Sequence, residues 1–199
     1  MLDVKIHRIH LTNILTLLYK DASVSARLGF KGGTAAYLFY NLPRFSVDLD
    51  FDFIDQPSDD RATDTMERIR RSLEKHYRIV EQRLKYHTLF LLISYERYQR
   101  KIKIEISVRE HKNKYESRNF YGVTIPVMSL GDMMAHKLVA IMDRKMTANR
   151  DLFDAHFFLS NPRKMEINYQ IIEDLTGLKP RGFLGHCKIS LQGFLYILL

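Results

Sequence analysis

Apolar and polar residues follow two different periods along the chain, and together these predict a mixture of helices and strands. In residues 4–19 the apolar side chains recur at helical spacing, which predicts an amphipathic first helix. Residues 48–53 alternate strictly between acidic and apolar side chains, which is typical of a strand with one buried face. Strand-like patterns recur between polar turns and favour antiparallel hairpins, over residues 77–84, 87–96 and 101–108.

Helical periodicity returns in the later part of the chain. Ser129 and Asp132 form a capping-box pattern before a predicted helix over residues 130–144. Asp59 or Asp60 is expected to cap an earlier helix. The remaining elements are predicted as a short helix or loop at 21–28, helices at 62–76, 150–159 and 166–175, a charged loop at 111–121 and an extended piece at 122–127. We therefore predict an α/β (α+β) protein with a mixed central sheet flanked by helices, and with a mainly helical C-terminal part.

The acidic strand is the first candidate site. Its alternation places Asp48, Asp50 and Asp52 on one face, with side chains two apart separated by roughly 6.5–7 Å at the backbone. Any half-solvated strand alternates in this way. However, aspartate is depleted in strands and stacked like charges repel one another, and a bound cation would remove that cost.

A glycine turn precedes the acidic strand. Gly32 and Gly33 follow an apolar strand end, and Thr34 begins a predicted helix over residues 34–40. Consecutive glycines allow close approach of a ligand, and the free amides at a helix N-terminus attract phosphate. Thr34 is expected either to cap this helix or to donate to a phosphate oxygen. The turn could also be a simple chain reversal, but beside the acidic strand it suits a metal-bound polyphosphate.

Composition narrows the class of partner and the compartment. The chain has 199 residues, 46% of them hydrophobic, and 31 Lys+Arg against 23 Asp+Glu give a net charge of +8, which favours a polyanionic partner. The single cysteine, Cys187, fits a reducing compartment. The charged N-terminus is unlike a signal peptide, and no apolar run reaches membrane-spanning length. A cytoplasmic protein with no membrane partner is the expectation.

Several charged residues are open to two interpretations. Glu105 and Lys103 share one face of a strand, which could be a site or a solvated surface. Lys137 lies among apolar helical neighbours and could snorkel to solvent. Asp151 could simply be an acid favoured by a helix dipole. The basic face of helix 62–76 could contact RNA or only water.

The motifs resemble those of a known family. Gly-Gly-Thr followed by Asp-Leu-Asp-Phe, with Arg44 and Ser46 just before the first aspartate, resembles the opening motif of the polymerase-β-type nucleotidyltransferases. The residues of this motif are most similar to those of the AbiEii/AbiGii-type nucleotidyltransferases, which are the toxins of bacterial abortive-infection and toxin–antitoxin systems. Lys137–Arg144 fits the family's K-x-x-A-x-x-x-R helix, and Arg150–Asp154 fits its R-D-x-x-D motif. The resemblance covers roughly residues 25–160.

The resemblance implies an activity and a set of residues. It implies a nucleotidyltransferase fold, with a catalytic core over residues 1–125 and a helical part over residues 126–199 that completes the active site. Transfer of a nucleoside monophosphate from an NTP with Mg²⁺ or Mn²⁺ is expected. The implied catalytic residues are Asp48, Asp50, Glu105, Lys137 and Asp151. The implied metal ligands are Asp48, Asp50 and Glu105. The implied nucleotide-binding residues are Gly32, Gly33, Thr34, Ser46 and Lys137.

The resemblance also implies partners. An RNA, in particular the 3′ end of tRNA, is the expected acceptor, with a protein hydroxyl as the other candidate, and a cognate antitoxin is a further expected partner. The alternative function is a non-catalytic module that binds nucleic acid or a partner on the same scaffold. Residues 179–199 carry no part of the resemblance, and their role is left open.

Overall fold

The computed structural model describes residues 2–85, 87–96, 100–143, 148–160, 166–179 and 182. The chain divides into two compact units, Met1–Met128 and Ser129–Leu199. The first unit contains a mixed sheet with helices and the described part of the second is helical, which confirms the predicted α/β class. The tail whose role the sequence left open lies almost entirely outside the described residues.

Seven strands form one sheet in the first unit, in the order β3-β4-β5-β2-β1-β7-β6. β2 lies at the centre, antiparallel to β1 and parallel to β5. β1 also pairs in parallel with β7. The strands are β1 (Leu28–Lys31), β2 (Leu49–Phe53), β3 (Arg78–Lys85), β4 (Thr88–Glu96), β5 (Arg100–Ser107), β6 (Tyr115–Phe120) and β7 (Val123–Met128).

Four helices accompany this sheet: α1 (Val4–Lys20), α2 (Ala22–Ser25), α3 (Gly32–Phe39) and α4 (Asp59–Leu73). The start of α4 differs from the prediction. Ser58 is its N-cap, and the Ser58 side chain accepts a hydrogen bond from the Arg61 amide. Asp59 and Asp60 instead occupy the first turn, where the helix dipole favours acidic side chains. The prediction that one of these aspartates caps the helix was therefore wrong.

The core of the first unit lies on one face of the sheet. Leu49, Phe51 and Phe53 of β2 are buried there. In the register of β2 and β5, Leu49 lies opposite Ile104 and Phe51 opposite Ile106, so both strands turn their apolar residues to the same side. The ring of Tyr19 from α1 packs against Phe51. The side chains that alternate with these apolar residues along β2 and β5 therefore point to the other face of the sheet.

Residues 111–121 contain a strand that the sequence pattern did not predict. Tyr115–Phe120 forms β6, which pairs antiparallel with β7 at the edge of the sheet. The connection is a two-residue hairpin in which Tyr121 and Gly122 both have positive φ, of 45° and 83°. Most side chains of β6 are exposed. The prediction of a loop was wrong because backbone pairing, and not burial of an apolar face, holds this strand.

The second unit contains α5 (Leu130–Asp143), α6 (Asn149–Leu159) and α7 (Tyr169–Thr176), with α5 packed against both of the others. The predicted cap of α5 is confirmed, because the Ser129 hydroxyl accepts from the Asp132 amide at 3.2 Å. Gly177, at φ 69°, ends α7. In the described part of the chain, no helix combines the length and apolarity needed to cross a bilayer.

Candidate active site

Three carboxylates converge on the face of the sheet opposite the core. Asp50 in β2 lies directly across from Glu105 in β5, and Asp48 comes immediately before β2. The Lys103 ammonium joins the cluster, with its Nζ 3.1 Å from Glu105 Oε2 and 3.5 Å from Asp48 Oδ2. About a third of the Asp48 and Glu105 side chains is exposed. The structure thus brings together the three acids that the sequence singled out as metal ligands.

The surroundings of Asp50 and Lys103 shift the pKa of each of these two groups. Burial raises the pKa of Asp50, and the carboxylates of Asp48 and Glu105 raise it further, against the opposing charges of Lys103 and Lys31. Burial disfavours the Lys103 ammonium, but the hydrogen bond to Glu105 and the negative charge of Asp48 outweigh it and raise the pKa of Lys103. The cluster therefore favours added positive charge.

Asp52 shares the face of Asp50 but has a different environment. Its carboxylate is buried, with Oδ1 2.5 Å from the Lys31 Nζ. Oδ2 accepts from Asn113 Nδ2 at 3.0 Å and from the Tyr115 hydroxyl at 2.8 Å. Burial raises the pKa of Tyr115, and the nearby Asp52 charge adds to this. These contacts tie Asp52 to β1 and β6 and give its carboxylate different hydrogen-bond partners from those of Asp48.

The two glycines of the turn allow the backbone to approach the acids closely. Gly32 has φ +79°, and a Cβ placed on it would lie 2.5 Å from Asp50 Oδ2. A Cβ on Gly33 would lie 2.9 Å from the Ser46 Oγ and 3.1 Å from the Arg44 Nη2. Any larger residue would collide with these groups. Arg44 thus lies against the turn. In the sequence, the pattern R-x-S-x-D was the feature that pointed to Arg44.

Thr34 does not cap α3. The N-cap is Lys31, which makes no side-chain capping hydrogen bond, and Thr34 lies in the first turn. Its buried hydroxyl donates to the carbonyl oxygen of Asp48. The neighbouring Val47 carbonyl is 3.0 Å from His7 Nε2. The prediction of Thr34 as a cap was wrong, and its side chain instead holds the segment that carries Asp48.

Lys137 and Asp151 meet within the second unit. The Lys137 ammonium is 3.0 Å from Asp151 Oδ1 and 2.8 Å from Asp154 Oδ2. Only 14% of the Lys137 side chain is exposed, so it does not snorkel to solvent. Asp151 does lie in the first turn of α6, but it also pairs with Lys137. Arg144, the last residue of the motif that begins at Lys137, lies outside the described residues.

The basic face of α4 is neutralised within the helix. Arg68 pairs with Asp64, while Arg70 and Arg71 both pair with Glu67. Arg70 also pairs with Glu74. These ion pairs at i,i+3 and i,i+4 occupy the guanidinium groups. The interpretation of α4 as a solvated helix is therefore favoured over a surface that contacts RNA.

The carboxylates of Asp48, Asp50 and Glu105 are the side chains of this cluster that could hold a divalent cation. Among the residues that the structure describes, no group of three or more His, Cys, Asp or Glu side chains is already arranged around a metal position. Carboxylate oxygens are nonetheless the ligands that Mg²⁺ prefers. Lys103 already supplies a positive charge between Asp48 and Glu105. The chemistry of these side chains therefore fits a divalent cation.

Solved structures share the fold of this chain. A candidate nucleotidyltransferase from H. pylori has 23% identity and a TM-score of 0.56, over 77% of this chain and 68% of that one. JHP933 from Helicobacter pylori has 23% identity and a TM-score of 0.55, over 77% and 66% of the two chains. An antigenic nucleotidyltransferase-like protein from Paracoccidioides brasiliensis has 14% identity and a TM-score of 0.54, over 89% and 88%. At these identities the similarity concerns the fold, which is the nucleotidyltransferase fold that the motifs implied.

A family model identifies the chain more directly. No curated protein sequence gives a significant match. The model described as "Nucleotidyl transferase AbiEii toxin, Type IV TA system" matches residues 16–177. This match contains the whole stretch in which the motifs were found and spans most of the chain. The chain is therefore a member of the AbiEii family of nucleotidyltransferase toxins of type IV toxin–antitoxin systems.

Proposed function

We propose that this nucleotidyltransferase moves a nucleoside monophosphate from an NTP to an acceptor hydroxyl, with Mg²⁺ or Mn²⁺ held by Asp48, Asp50 and Glu105. One observation carries the proposal. The three carboxylates converge from two adjacent strand segments, and the Asp50 carboxylate lies directly against Gly32 of the glycine turn. A cation and a polyphosphate could therefore bind side by side.

The glycine turn is the proposed site of the triphosphate. The first amides of a helix have no partner within the helix, so those of Gly33 and Thr34 are suited to phosphate oxygens. Ser46 and Arg44 lie against Gly33 and add a hydroxyl and a positive charge. Because the Thr34 hydroxyl already donates to Asp48, the proposal assigns the backbone amide of Thr34, and not its side chain, to the nucleotide.

The reaction is a displacement at the α-phosphorus. The acceptor oxygen forms a bond to that phosphorus, the bond to the β-phosphate oxygen breaks, and pyrophosphate leaves. Glu105 is proposed to receive the acceptor proton or to share a metal ion with Asp50, and its position opposite Asp50 across β2 and β5 supports this role. A bound divalent ion would offset phosphate charge and lower the pKa of the acceptor hydroxyl.

An RNA, in particular the 3′ end of a tRNA, is the proposed acceptor. The net charge of +8 supports a polyanionic partner, because contacts from Lys and Arg to phosphates dominate such affinity. The family name adds an antitoxin as a partner. The single cysteine supports a cytoplasmic location. The parts that Lys137 and Asp151 take in the reaction rest on the family motifs.

Transfer can be tested with radiolabelled nucleotides. The wild type and Asp50→Asn are each incubated with one of the four α-labelled NTPs, Mg²⁺ and total RNA, and the products are separated on a gel. The proposal expects label in an RNA band with the wild type alone. Label in a protein band would replace the RNA acceptor by a protein hydroxyl. No label in either fraction with any NTP would favour a non-catalytic binding module.

A further inference from the structure

The Lys103 ammonium contacts two of the three acids that are proposed to hold the metal ion. This ammonium lies between Asp48 and Glu105. Asp48 is two residues before Asp50 in the sequence, and Glu105 lies opposite Asp50 in the strand register. We propose that Lys103 is an internal counterion, which holds the carboxylates together until a divalent ion displaces it. This inference rests on the proposed function, because it concerns the same three carboxylates.

The strand geometry explains why Lys103 can take this part. Its backbone is fixed in the interior of β5, where it lies opposite Leu92 of β4. Lys103 and Glu105 are two residues apart in one strand and therefore share a face. The flexible four-carbon side chain brings the ammonium to both acids while 35% of it stays exposed. Displacement therefore needs only side-chain rotation and no change in the sheet.

The charge balance explains why a divalent ion would displace the Lys103 ammonium from the carboxylates. Three carboxylates against one ammonium leave a net charge of two negative units in this cluster, which a single Lys103 cannot neutralise. A partly exposed Lys–carboxylate pair is a weak interaction, because solvent screens both charges. Mg²⁺ and Mn²⁺ carry twice the charge and accept several carboxylate oxygens at once. Lys103 therefore lowers the apparent metal affinity without preventing metal binding.

The displaced Lys103 ammonium could also contribute to nucleotide binding. Gly32 lies against Asp50, so the glycine turn borders the same cluster. Once released from Asp48 and Glu105, the Lys103 ammonium is proposed to turn toward an anion bound beside that turn. Metal binding should therefore increase nucleotide affinity through Lys103, in addition to any direct contact between the metal and the phosphates.

The test measures metal affinity without any reaction. Mn²⁺ binding is followed by electron paramagnetic resonance and calorimetry for the wild type, Lys103→Met, Lys103→Arg and Lys101→Met. Lys101→Met is the matched control. It removes the same charge from the same face of β5, at a position two residues before Lys103 and farther from Glu105. Asp50→Ala reports whether the measured ion binds at this cluster.

We expect Lys103→Met to bind Mn²⁺ about tenfold more tightly than the wild type, because two weak ion pairs no longer compete. Lys103→Arg keeps the charge and should bind no more tightly than the wild type, and Lys101→Met should change affinity by less than about twofold. Mn²⁺ should also strengthen binding of a non-hydrolysable NTP analogue more in the wild type than in Lys103→Met.

The possible failures can be told apart. If the wild type binds Mn²⁺ but Lys103→Met binds it with equal or lower affinity, the counterion role is overturned while the proposed function stands. If the wild type binds no more Mn²⁺ than Asp50→Ala, both are overturned. If Lys103→Met does not fold without metal, Lys103→Arg decides, because tighter binding by that charged variant would contradict displacement.

Discussion

Asp50 and Glu105 lie opposite each other in the parallel strands β2 and β5, although 54 positions separate them in the sequence. This register brings acids from two strands to the same point of the sheet. Neighbouring strands lie about 4.7–4.9 Å apart, so two acids in register across them are close enough to repel when both are ionised and to share a cation when one is bound. Burial is the main cause of the raised pKa of Asp50, and the charges of Asp48 and of Glu105 across this pair add to it.

Asp50→Asn is expected to abolish transfer and to stabilise the metal-free fold. Loss of a metal ligand should reduce the rate by a factor on the order of 10²–10³ or more. Removing the carboxylate ends the repulsion from Asp48 and Glu105, so the melting temperature in EDTA should rise by about 2–4 °C. A fall of several degrees, measured by differential scanning calorimetry, would contradict the repulsion argument.

The stabilisation by Asp50→Asn should depend on pH. Because the pKa of Asp50 is raised in the folded state, the folded protein holds this proton more tightly than the unfolded chain, whose value is about 3.8. Wild-type stability relative to Asp50→Asn should therefore fall as pH rises above that value, and then level off above the folded-state pKa. Urea unfolding of both proteins across this range is the measurement.

Asp52→Asn should have the opposite effect on stability from Asp50→Asn. The buried Asp52 carboxylate pairs with Lys31 and accepts from Tyr115 and Asn113, so its loss should lower the free energy of unfolding by about 2 kcal/mol. Mn²⁺ affinity should remain near that of the wild type. Equal effects of the two substitutions on stability would contradict the different surroundings of Asp50 and Asp52.

Arg44→Gln should weaken NTP binding. Its guanidinium lies against Gly33 in the proposed triphosphate site, and the loss of one charged contact should raise KM about tenfold with a smaller effect on kcat. Arg71→Gln is the control, because Arg71 is an exposed arginine paired with Glu67 on α4. A similar rise in KM for both variants would indicate an effect of net charge alone.

Glu67→Gln should make the protein less sensitive to acid. The hydrogen bond from Arg70 lowers the pKa of Glu67 from 4.5 to about 2, with further help from Arg71. A depressed folded-state pKa contributes stability above the unfolded value, and this contribution disappears as pH falls from about 4.5 to about 2. The variant should show a shallower loss of stability in that window, while an unchanged slope would argue against the pairing.

Lys137→Met should destabilise the second unit more than Asp154→Asn. The first change leaves the carboxylates of Asp151 and Asp154 buried without their shared cation, at a cost of about 3 kcal/mol. The second leaves a neutral Lys137–Asp151 pair. Urea unfolding gives the order of stability, and the reverse order would contradict the shared ion pair.

The sequence by itself determined the local elements and the chemistry. The period-two pattern around Asp50 and the helical periods elsewhere predicted the α/β class, because periodicity reflects which face of each element is buried. The glycine turn and the acidic strand, with the motifs around Lys137 and Asp151, resemble those of nucleotidyltransferases, and the family match agrees with this. These signals are local, and the types and spacing of neighbouring residues carry them.

Only the tertiary structure decided which charged groups meet. Asp50 and Asp52 are equivalent in the sequence pattern, but strand order places Glu105 and Lys103 beside Asp50, while Asn113 and Tyr115 from the distant β6 region bind Asp52. The strand β6 itself was missed because a hairpin at Tyr121–Gly122 pairs its backbone without burying an apolar face. Register and long-range pairing set these neighbours, and no local pattern of residues specifies them.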